Sequence, residues 1–305
     1  MEAKTTKKPP GSRLFSDLIV ASGSGFANFA SNTLCYPLDT INTWVKGSSL
    51  SRRIPHVIKD HLKSEGIQIL YRGIGTQFTG VFIPSFIYFL SYEISNRLAK
   101  GFLDKRGWQA YSLYIPTFTA TLSEVVALLV YVPVDTIKTR MQMNLPTQRY
   151  GSLRSGLMEV VRREGLIRLY TASPMYFLSA ILFNTVLFQT YELQRISQMQ
   201  RQNKSNGDLG VLDSVYHTLI ASVVATLVTN PLDLIITRYQ LIDGQSPALS
   251  MRKVTSDVIR KDGLIGLNRG LGIKTLYCAT DACIYLPIYE VLRKSYGQDF
   301  AANLE

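Results

Sequence analysis

The sequence has few cysteines and few charged residues for its length. Its 305 residues include three cysteines, Cys35, Cys278 and Cys283, and their spacing fits neither a disulfide framework nor a zinc site. Charged residues make up 18% of the chain and hydrophobic residues 46%, which excludes intrinsic disorder. The 22 acidic residues are outnumbered by 33 basic ones, for a net charge of +11. A basic membrane protein accounts for this composition better than a nucleic-acid-binding protein does.

Long stretches without charged residues indicate whether the chain is a membrane protein or a soluble protein. Four contain no Asp, Glu, Lys or Arg: Leu18–Leu38, Gly73–Tyr92, Leu169–Tyr191 and Ser214–Leu232. Two more carry a single acid each: Gly107–Val134, with Glu124, and Thr275–Glu290, with Asp281. A helix of about twenty residues crosses the hydrocarbon core of a bilayer. The pattern predicts an all-α membrane protein with six transmembrane helices; the alternative is a set of buried helices in a large soluble core.

Three short motifs recur in the same order at intervals of about a hundred residues. They are Pro-x-Asp at Pro37, Pro133 and Pro231, acid-Gly at Glu65, Glu164 and Asp262, and Tyr-Glu at Tyr92, Tyr191 and Tyr289. The chain is therefore a threefold tandem repeat. We divide it into a basic N-terminal tail at 1–13 and repeats at 14–105, 106–205 and 206–305. The amphipathic segment between the two long helices of each repeat predicts a short helix in the membrane interface.

The order Pro-x-Asp-x-x-Lys-x-Arg-x-Gln is complete in the second repeat, and partial in the other two. The second repeat has Pro133, Asp135, Lys138, Arg140 and Gln142, the third has Pro231, Asp233, Ile236, Arg238 and Gln240, and the first has Pro37, Asp39, Asn42, Trp44 and Lys46. In these motifs the chain resembles the mitochondrial carrier family over essentially its whole length. The resemblance implies a multi-pass protein of the mitochondrial inner membrane, with six transmembrane helices in a pseudo-threefold barrel-like bundle and three short matrix-side helices. It implies a transporter of a small-molecule solute, not an enzyme, and neither a metal site nor a nucleic-acid partner.

The resemblance also implies two gates that open in turn. The matrix gate would consist of Asp39, Asp135, Lys138, Asp233, Gln142 and Gln240, and the cytosolic-side gate of Glu93, Glu192, Arg195, Glu290 and Arg293. Pro37, Pro133 and Pro231 would kink the helices toward a common axis. Lys138 is the one base at the matching matrix position, so we expect two ion pairs to be missing and the matrix gate to be weak. Lys46, Arg140 and Arg238 are the candidate substitutes, and simple helix-end ion pairs are the alternative interpretation.

The positions where the family contacts its substrate carry no charge here: Val81, Ser179, Ala180 and Cys278. Carriers of anions need basic partners at such positions. Two acids, Glu124 and Asp281, lie at mid-depth of their predicted helices, where an ionisable residue is a functional candidate. The alternative for each acid is a packing hydrogen bond between helices. If these acids face the interior, the expected solute is cationic, zwitterionic or neutral.

Lipid and protein partners follow from the same resemblance. Cardiolipin would bind at Arg72, Gly73, Arg269 and Gly270, through amide groups at helix N-termini, and no other cofactor is expected. Two functions remain open. The first is a solute carrier that works by alternating access. The second is a transport-inactive, carrier-like subunit of a large inner-membrane assembly such as a respiratory chain complex, an interpretation that the incomplete matrix motifs and the neutral contact positions favour.

Overall fold

The computed structural model describes residues 10–48, 52–106, 115–144, 150–202, 211–242 and 250–296, and the regular secondary structure in these ranges is helical. The α-helices, in chain order, are α1 Pro10–Leu34, α2 Tyr36–Gly47, α3 Ile54–Glu65, α4 Ile83–Arg106, α5 Ile115–Met143, α6 Leu153–Glu164, α7 Leu166–Tyr170, α8 Ser173–Gln202, α9 Val211–Gln240, α10 Met251–Asp262 and α11 Leu271–Tyr296. Short 3-10 turns cover Ile67–Tyr71 and Leu264–Asn268, and a π-helical turn at Phe78–Phe82 leads into α4.

The long helices form a closed ring. The first repeat contributes α1 with α2, and α4; the second contributes α5 and α8; the third contributes α9 and α11. Around the ring α1 packs on α4, α4 on α5, α5 on α8, α8 on α9, α9 on α11, and α11 on α1. This arrangement confirms the predicted six-helix, pseudo-threefold bundle, in which each repeat supplies one adjacent pair.

Three helical segments are long and apolar enough to cross a membrane by themselves: Phe118–Met143, Leu166–Gln200 and Val215–Gln240. The other long helices are more polar or interrupted within the described residues. The helix α11 carries both Lys274 and Asp281, and α1 is separated from α2 by a turn at Cys35. Polar residues in membrane helices are tolerated where they face the interior of a bundle.

The three repeat prolines occupy different helical contexts. Pro37 lies in the first turn of α2, directly after the break at Cys35, a position that suits a residue without an N–H group. Pro133 and Pro231 lie inside α5 and α9, which continue through them. The kink predicted at Pro37 therefore coincides with a helix break, whereas Pro133 and Pro231 do not interrupt their helices.

The predicted short helices are α3, α6 and α10, each of 12 residues. Each ends at a glycine with positive φ, namely Gly66 (75°), Gly165 (86°) and Gly263 (67°). Glycine adopts this left-handed conformation without strain, so the chain can reverse and return to the bundle at these points. The helix α6 packs on α5 through a cluster of Ile137, Met141, Tyr150, Val160 and Leu169.

Candidate functional site: the floor of the bundle

Polar side chains join the three repeats at one end of the bundle, where α2, α5 and α9 end. We call this network the floor; in the predicted topology it faces the matrix. Its first contact is an ion pair between Lys138 Nζ of α5 and Asp39 Oδ2 of α2, at 2.7 Å. Lys138 also lies 5.6 Å from the ring centroid of Tyr36, within range of a cation–π interaction. Asp39 and Lys138 are the one pair in which both the acid and the base occupy the motif positions expected for the matrix gate. The structure brings these two side chains together.

Asp233 of α9 has cationic partners other than the family-type base, whose position is Asn42 in this chain. Its Oδ2 lies 3.1 Å from Lys274 Nζ of α11 and 3.8 Å from Lys46 Nζ of α2. Its Oδ1 accepts a 2.9 Å hydrogen bond from Ser179 of α8. Lys46 was a candidate substitute in the sequence, whereas Lys274 was missed because it lies on α11, the second long helix of its repeat, outside the Pro-x-Asp motif.

Asp135 of α5 is held by neutral donors. The hydroxyl of Tyr176 on α8 donates to its Oδ2, and Gln240 Nε2 of α9 donates to the same oxygen at 3.1 Å. Tyr131 donates a 3.4 Å bond to Oδ1. The base position opposite Asp135 is Ile236, which is buried and apolar. Of the three pairs in the expected matrix gate, this one alone lacks a described base.

The last position of the motif braces the floor in all three repeats. Gln142 donates to Asp39 at 3.0 Å, Gln240 donates to Asp135 at 3.1 Å, and Lys46 lies 3.8 Å from Asp233. Each brace therefore reaches from one repeat to the acid of the preceding repeat, with the third repeat preceding the first around the ring. In the first repeat a lysine replaces the glutamine, so the brace there is itself a cation.

The motif position two residues before this last one caps the end of a helix in the neighbouring repeat. Arg140 Nε donates to the carbonyl oxygen of Gln240 at 2.8 Å, and Arg238 Nε donates to that of Lys46 at 3.0 Å. The first repeat has Trp44 there, and its indole Nε1 donates to the carbonyl oxygen of Gln142 at 2.8 Å. The last carbonyl groups of a helix have no partner within it, so each of these bonds satisfies one such group.

A buried ion pair anchors α6 below the floor. The Arg140 guanidinium, which is fully buried, bonds both carboxylate oxygens of Glu164, at 2.5 and 2.9 Å, and Arg168 adds a 3.3 Å contact. Burial alone would raise the pKa of Glu164, but the bonds and charges of the two arginines outweigh it and hold that pKa below its usual value. Arg168 also reaches the carbonyl oxygens of Tyr239 and Ile242 at the end of α9.

The predicted cytosolic-side gate is only partly covered by the described residues. Glu192 bonds Arg195 of its own helix at 3.4 Å, on an exposed surface. Glu93 is half-buried on α4. The side chains of Glu290 and Arg293 lie outside the described residues. At the floor, which joins the three repeats, Asp39, Asp233 and Lys274 keep about a fifth of their surface exposed.

The structure shows the local conformation or the hydrogen bonds of three of the expected substrate positions. Val81 lies in the π-helical turn before α4, Ser179 is buried and belongs to the floor through Asp233, and Cys278 accepts a 3.4 Å bond from Thr226. Ala180 is half-buried beside Ser179. Among the described residues there is no cluster of His, Cys, Asp and Glu side chains that could hold a metal ion.

A line of polar side chains lies above the floor, between α1, α4 and α11. Tyr277 donates to Asn32 at 2.5 Å, Asn32 to Asn28 at 2.8 Å, and Asn28 to Ser85 at 2.7 Å. Asp281 is one helical turn beyond Tyr277, and its Oδ1 is buried without a hydrogen-bond partner among the described residues. Glu124, the other mid-depth acid, is half-buried on α5.

The expected lipid positions divide into two groups. Gly73 and Gly270 both have positive φ, of 84° and 82°, at the start of the second long helix of their repeats. The backbone carbonyl of Arg72 accepts a 2.7 Å bond from Tyr36. The side chain of Arg269 is buried and donates to carbonyl oxygens of Val45 and Arg52, at 2.9 and 2.7 Å, so it stabilises the end of α2 instead of facing lipid.

Comparison with known proteins agrees with this architecture. Three segments, 16–102, 109–202 and 207–300, match the mitochondrial carrier protein family. The chain is 26% identical to the mitochondrial citrate transporter C of Aspergillus niger, covering 96% of this chain and 95% of that protein. It is 26% identical to the mitochondrial S-adenosylmethionine carrier protein of Danio rerio, over 93% and 98% of the two chains.

A third relative is longer than this chain. The mitochondrial adenyl nucleotide antiporter of Danio rerio is 26% identical over 90% of this chain and 58% of its own length. These relatives transport chemically different solutes by their names, so likeness to them does not fix a substrate. The three family segments cover most of the sequence, one for each repeat of the helical bundle. The chain therefore belongs to the mitochondrial carrier family, whose members are multi-pass solute transporters of the mitochondrial inner membrane.

Proposed function

We propose that this protein transports a cationic, zwitterionic or neutral solute across the mitochondrial inner membrane by alternating access. The observation that carries the proposal is the floor that joins the three repeats, beneath the buried acid Asp281 and expected contact positions that carry no charge. The floor joins all three repeats, through Asp39–Lys138, Asp135–Gln240 and Asp233–Lys46. Transport would require these contacts to separate when the opposite end closes.

The charge of the interior supports the choice of solute class. The described floor holds three lysines and three aspartates: Lys46, Lys138, Lys274, Asp39, Asp135 and Asp233. Above it, Asp281 adds an acid to the described interior, Glu124 is half-buried on α5, and the expected contact positions Val81, Ala180 and Cys278 add no charge. An anion moving from bulk water toward the floor would be repelled by these acids in a medium that screens charge poorly.

We also propose that an anionic phospholipid such as cardiolipin binds at the matrix-side margin of the bundle. The glycine turns at Gly73 and Gly270 precede the second long helix of their repeats, and the N-terminal amides of a helix are suited to a phosphate group. A further groove of about 430 Å³ lies between the start of α8 and α10. It is lined by Met175, Met251, Arg252, Thr255, Ser256, Ile259 and Arg260, a mixture of apolar and basic side chains that fits acyl chains and an anionic head group.

Transport by the purified protein in liposomes tests the solute class. The panel should contain cationic and zwitterionic amino acids, neutral solutes, and the anions ATP, citrate and malate. We expect saturable uptake of a member of the first three classes. Robust exchange of ATP, citrate or malate would overturn the assignment of charge.

A matched pair of variants makes the test specific. Asp281→Asn should reduce uptake strongly, because it removes the carboxylate from the interior, while Asp60→Asn on the exposed face of α3 should leave uptake unchanged. Failure to transport any solute in the panel, together with migration in a large complex on native gels, would favour the carrier-like structural subunit instead.

A further inference from the structure

The three lysines and three aspartates of the floor balance one another in number, but they are unevenly distributed among the three repeat interfaces. Between the first and second repeats, one acid meets one base, Asp39 and Lys138, at 2.7 Å. Between the third and first repeats, one acid meets two bases, because Asp233 is shared by Lys274 and Lys46. That interface therefore has one cation in excess.

The interface between the second and third repeats has the opposite imbalance. Asp135 is bonded by Tyr176, Gln240 and Tyr131, all neutral donors, and Ile236 occupies the place of a base. Among the described residues this interface has an acid and no base of its own; the charge of Lys138, which pairs with Asp39, also acts on Asp135. The excess cation and the acid without a base of its own thus lie at two different corners of one floor.

Both corners keep part of their side-chain surface exposed. Lys274 keeps 23% of its side-chain surface exposed, and Asp135, Tyr131 and Tyr176 are half-buried. The rings of Tyr131 and Tyr176 meet edge to face, with centroids 5.6 Å apart, beside the Asp135 carboxylate. A carboxylate with adjacent aromatic rings suits an organic ammonium group, because charge attraction and cation–π attraction add. The corner of Lys274 and Lys46 suits a carboxylate.

Charges held in a poorly screened interior are stabilised by a ligand that brings the opposite charge to each. A solute with one charge would match one corner and be repelled at the other. We propose that the floor selects a zwitterion whose carboxylate lies toward Lys274 and Lys46 and whose ammonium group lies toward Asp135. This inference rests on the proposed carrier function and narrows its solute class.

Binding to the full-length protein in detergent tests the inference, with thermal stabilisation as the readout. The probes are 4-aminobutanoate, 5-aminopentanoate and 6-aminohexanoate, each compared with the alkylamine and the alkanoate of equal chain length. We expect one of the three zwitterions to stabilise the protein at a concentration about tenfold lower than either singly charged analogue. Equal effects of a zwitterion and its amine, or no stabilisation by any zwitterion, would overturn the proposal.

Two variants test the assigned corners through the ratio of affinities, which a general loss of stability does not change. Lys274→Gln should abolish the preference for the zwitterion over the amine, and Asp135→Asn should abolish its preference over the alkanoate. Lys253→Gln and Asp257→Asn, on the exposed face of α10, make the same chemical changes away from the floor and should leave both ratios unchanged.

Different experimental results would overturn the carrier function and the zwitterion assignment. Saturable uptake of a singly charged solute, with no preference for a zwitterion, would leave the carrier function standing and remove the zwitterion assignment. Zwitterion binding that depends on Lys274 and Asp135, without transport of any solute, would support the assignment and remove the carrier function.

Discussion

The indole Nε1 of Trp44 donates a 2.8 Å hydrogen bond to the carbonyl oxygen of Gln142, and so takes the place that an arginine holds in the other two repeats. Arg140 and Arg238 make the equivalent bonds to Gln240 and Lys46. A departure from the family motif in the first repeat therefore keeps one part of its chemistry. The indole retains the N–H donor and loses the positive charge.

Replacing Trp44 should separate its hydrogen bond from its packing. Trp44 is fully buried and stacks on His61 with ring centroids 4.6 Å apart. Trp44→Phe keeps an aromatic ring and leaves the Gln142 carbonyl without its donor, which should destabilise the fold by about 1–3 kcal/mol. Trp44→Ala adds a cavity and should cost about 3–5 kcal/mol. Thermal unfolding in detergent measures both changes.

Trp44→Arg is the matched control, because it restores the donor found in the other repeats. It should melt above Trp44→Ala. If Trp44→Phe unfolds at the same temperature as the unmodified protein, the hydrogen bond to Gln142 contributes nothing and the comparison with Arg140 loses its basis.

The matrix-side gate should become stronger when its missing base is supplied. Ile236→Lys places an amine opposite Asp135, as Lys138 lies opposite Asp39. A buried lysine is unfavourable by itself, but an adjacent carboxylate compensates for its desolvation. We expect Ile236→Lys to stabilise the closed floor and to slow solute exchange in liposomes relative to Ile236→Met, which changes the shape without adding charge. Equal exchange rates for the two variants would show that this interface does not limit opening.

Much of this site was predictable from sequence. The recurring motif and the family resemblance predicted that Asp39, Asp135 and Asp233 would lie at one end of a bundle, together with Lys138 and Gln142. Lys274 was not predictable, because its bond to Asp233 depends on how α11 packs against α9 and on no spacing within a repeat. The role of Trp44 was equally hidden, since a motif written in charged residues does not count an indole as a donor. For Arg269, the sequence predicted a role that the structure does not give it. The residue was assigned to lipid binding, but its buried side chain donates to a carbonyl oxygen at the end of α2.

Lipid binding at the groove between α8 and α10 should depend on Arg252 and Arg260. Both arginines line the groove, so removing them should weaken the attraction for an anionic head group. We expect the double variant Arg252→Gln, Arg260→Gln to reduce the thermal stabilisation given by cardiolipin. The control is Lys253→Gln, Lys261→Gln, which removes the same charge from exposed positions of α10 outside the groove. An equal loss in both pairs would indicate nonspecific attraction to the basic surface.

The ion pair between Glu164 and Arg140 should make stability depend on acid pH. Because the pKa of Glu164 is held below its usual value in the folded protein, the carboxylate binds a proton more readily when the chain unfolds. Its contribution to stability is therefore complete above the unfolded pKa, about 4.3, and declines as the pH falls from there through the lower folded pKa. The unmodified protein should lose melting temperature across this range.

Glu164→Gln should be less stable at neutral pH and should show a flatter dependence of melting temperature below about pH 5, since it has no carboxylate to protonate. It also leaves the guanidinium of Arg140 buried without its counter-charge, which is the larger penalty at neutral pH. The control is Glu159→Gln on the same helix, whose carboxylate meets Arg163 at the surface and should matter little. Parallel pH profiles for the unmodified protein and Glu164→Gln would mean that this buried pair does not link α6 to the floor through its charge.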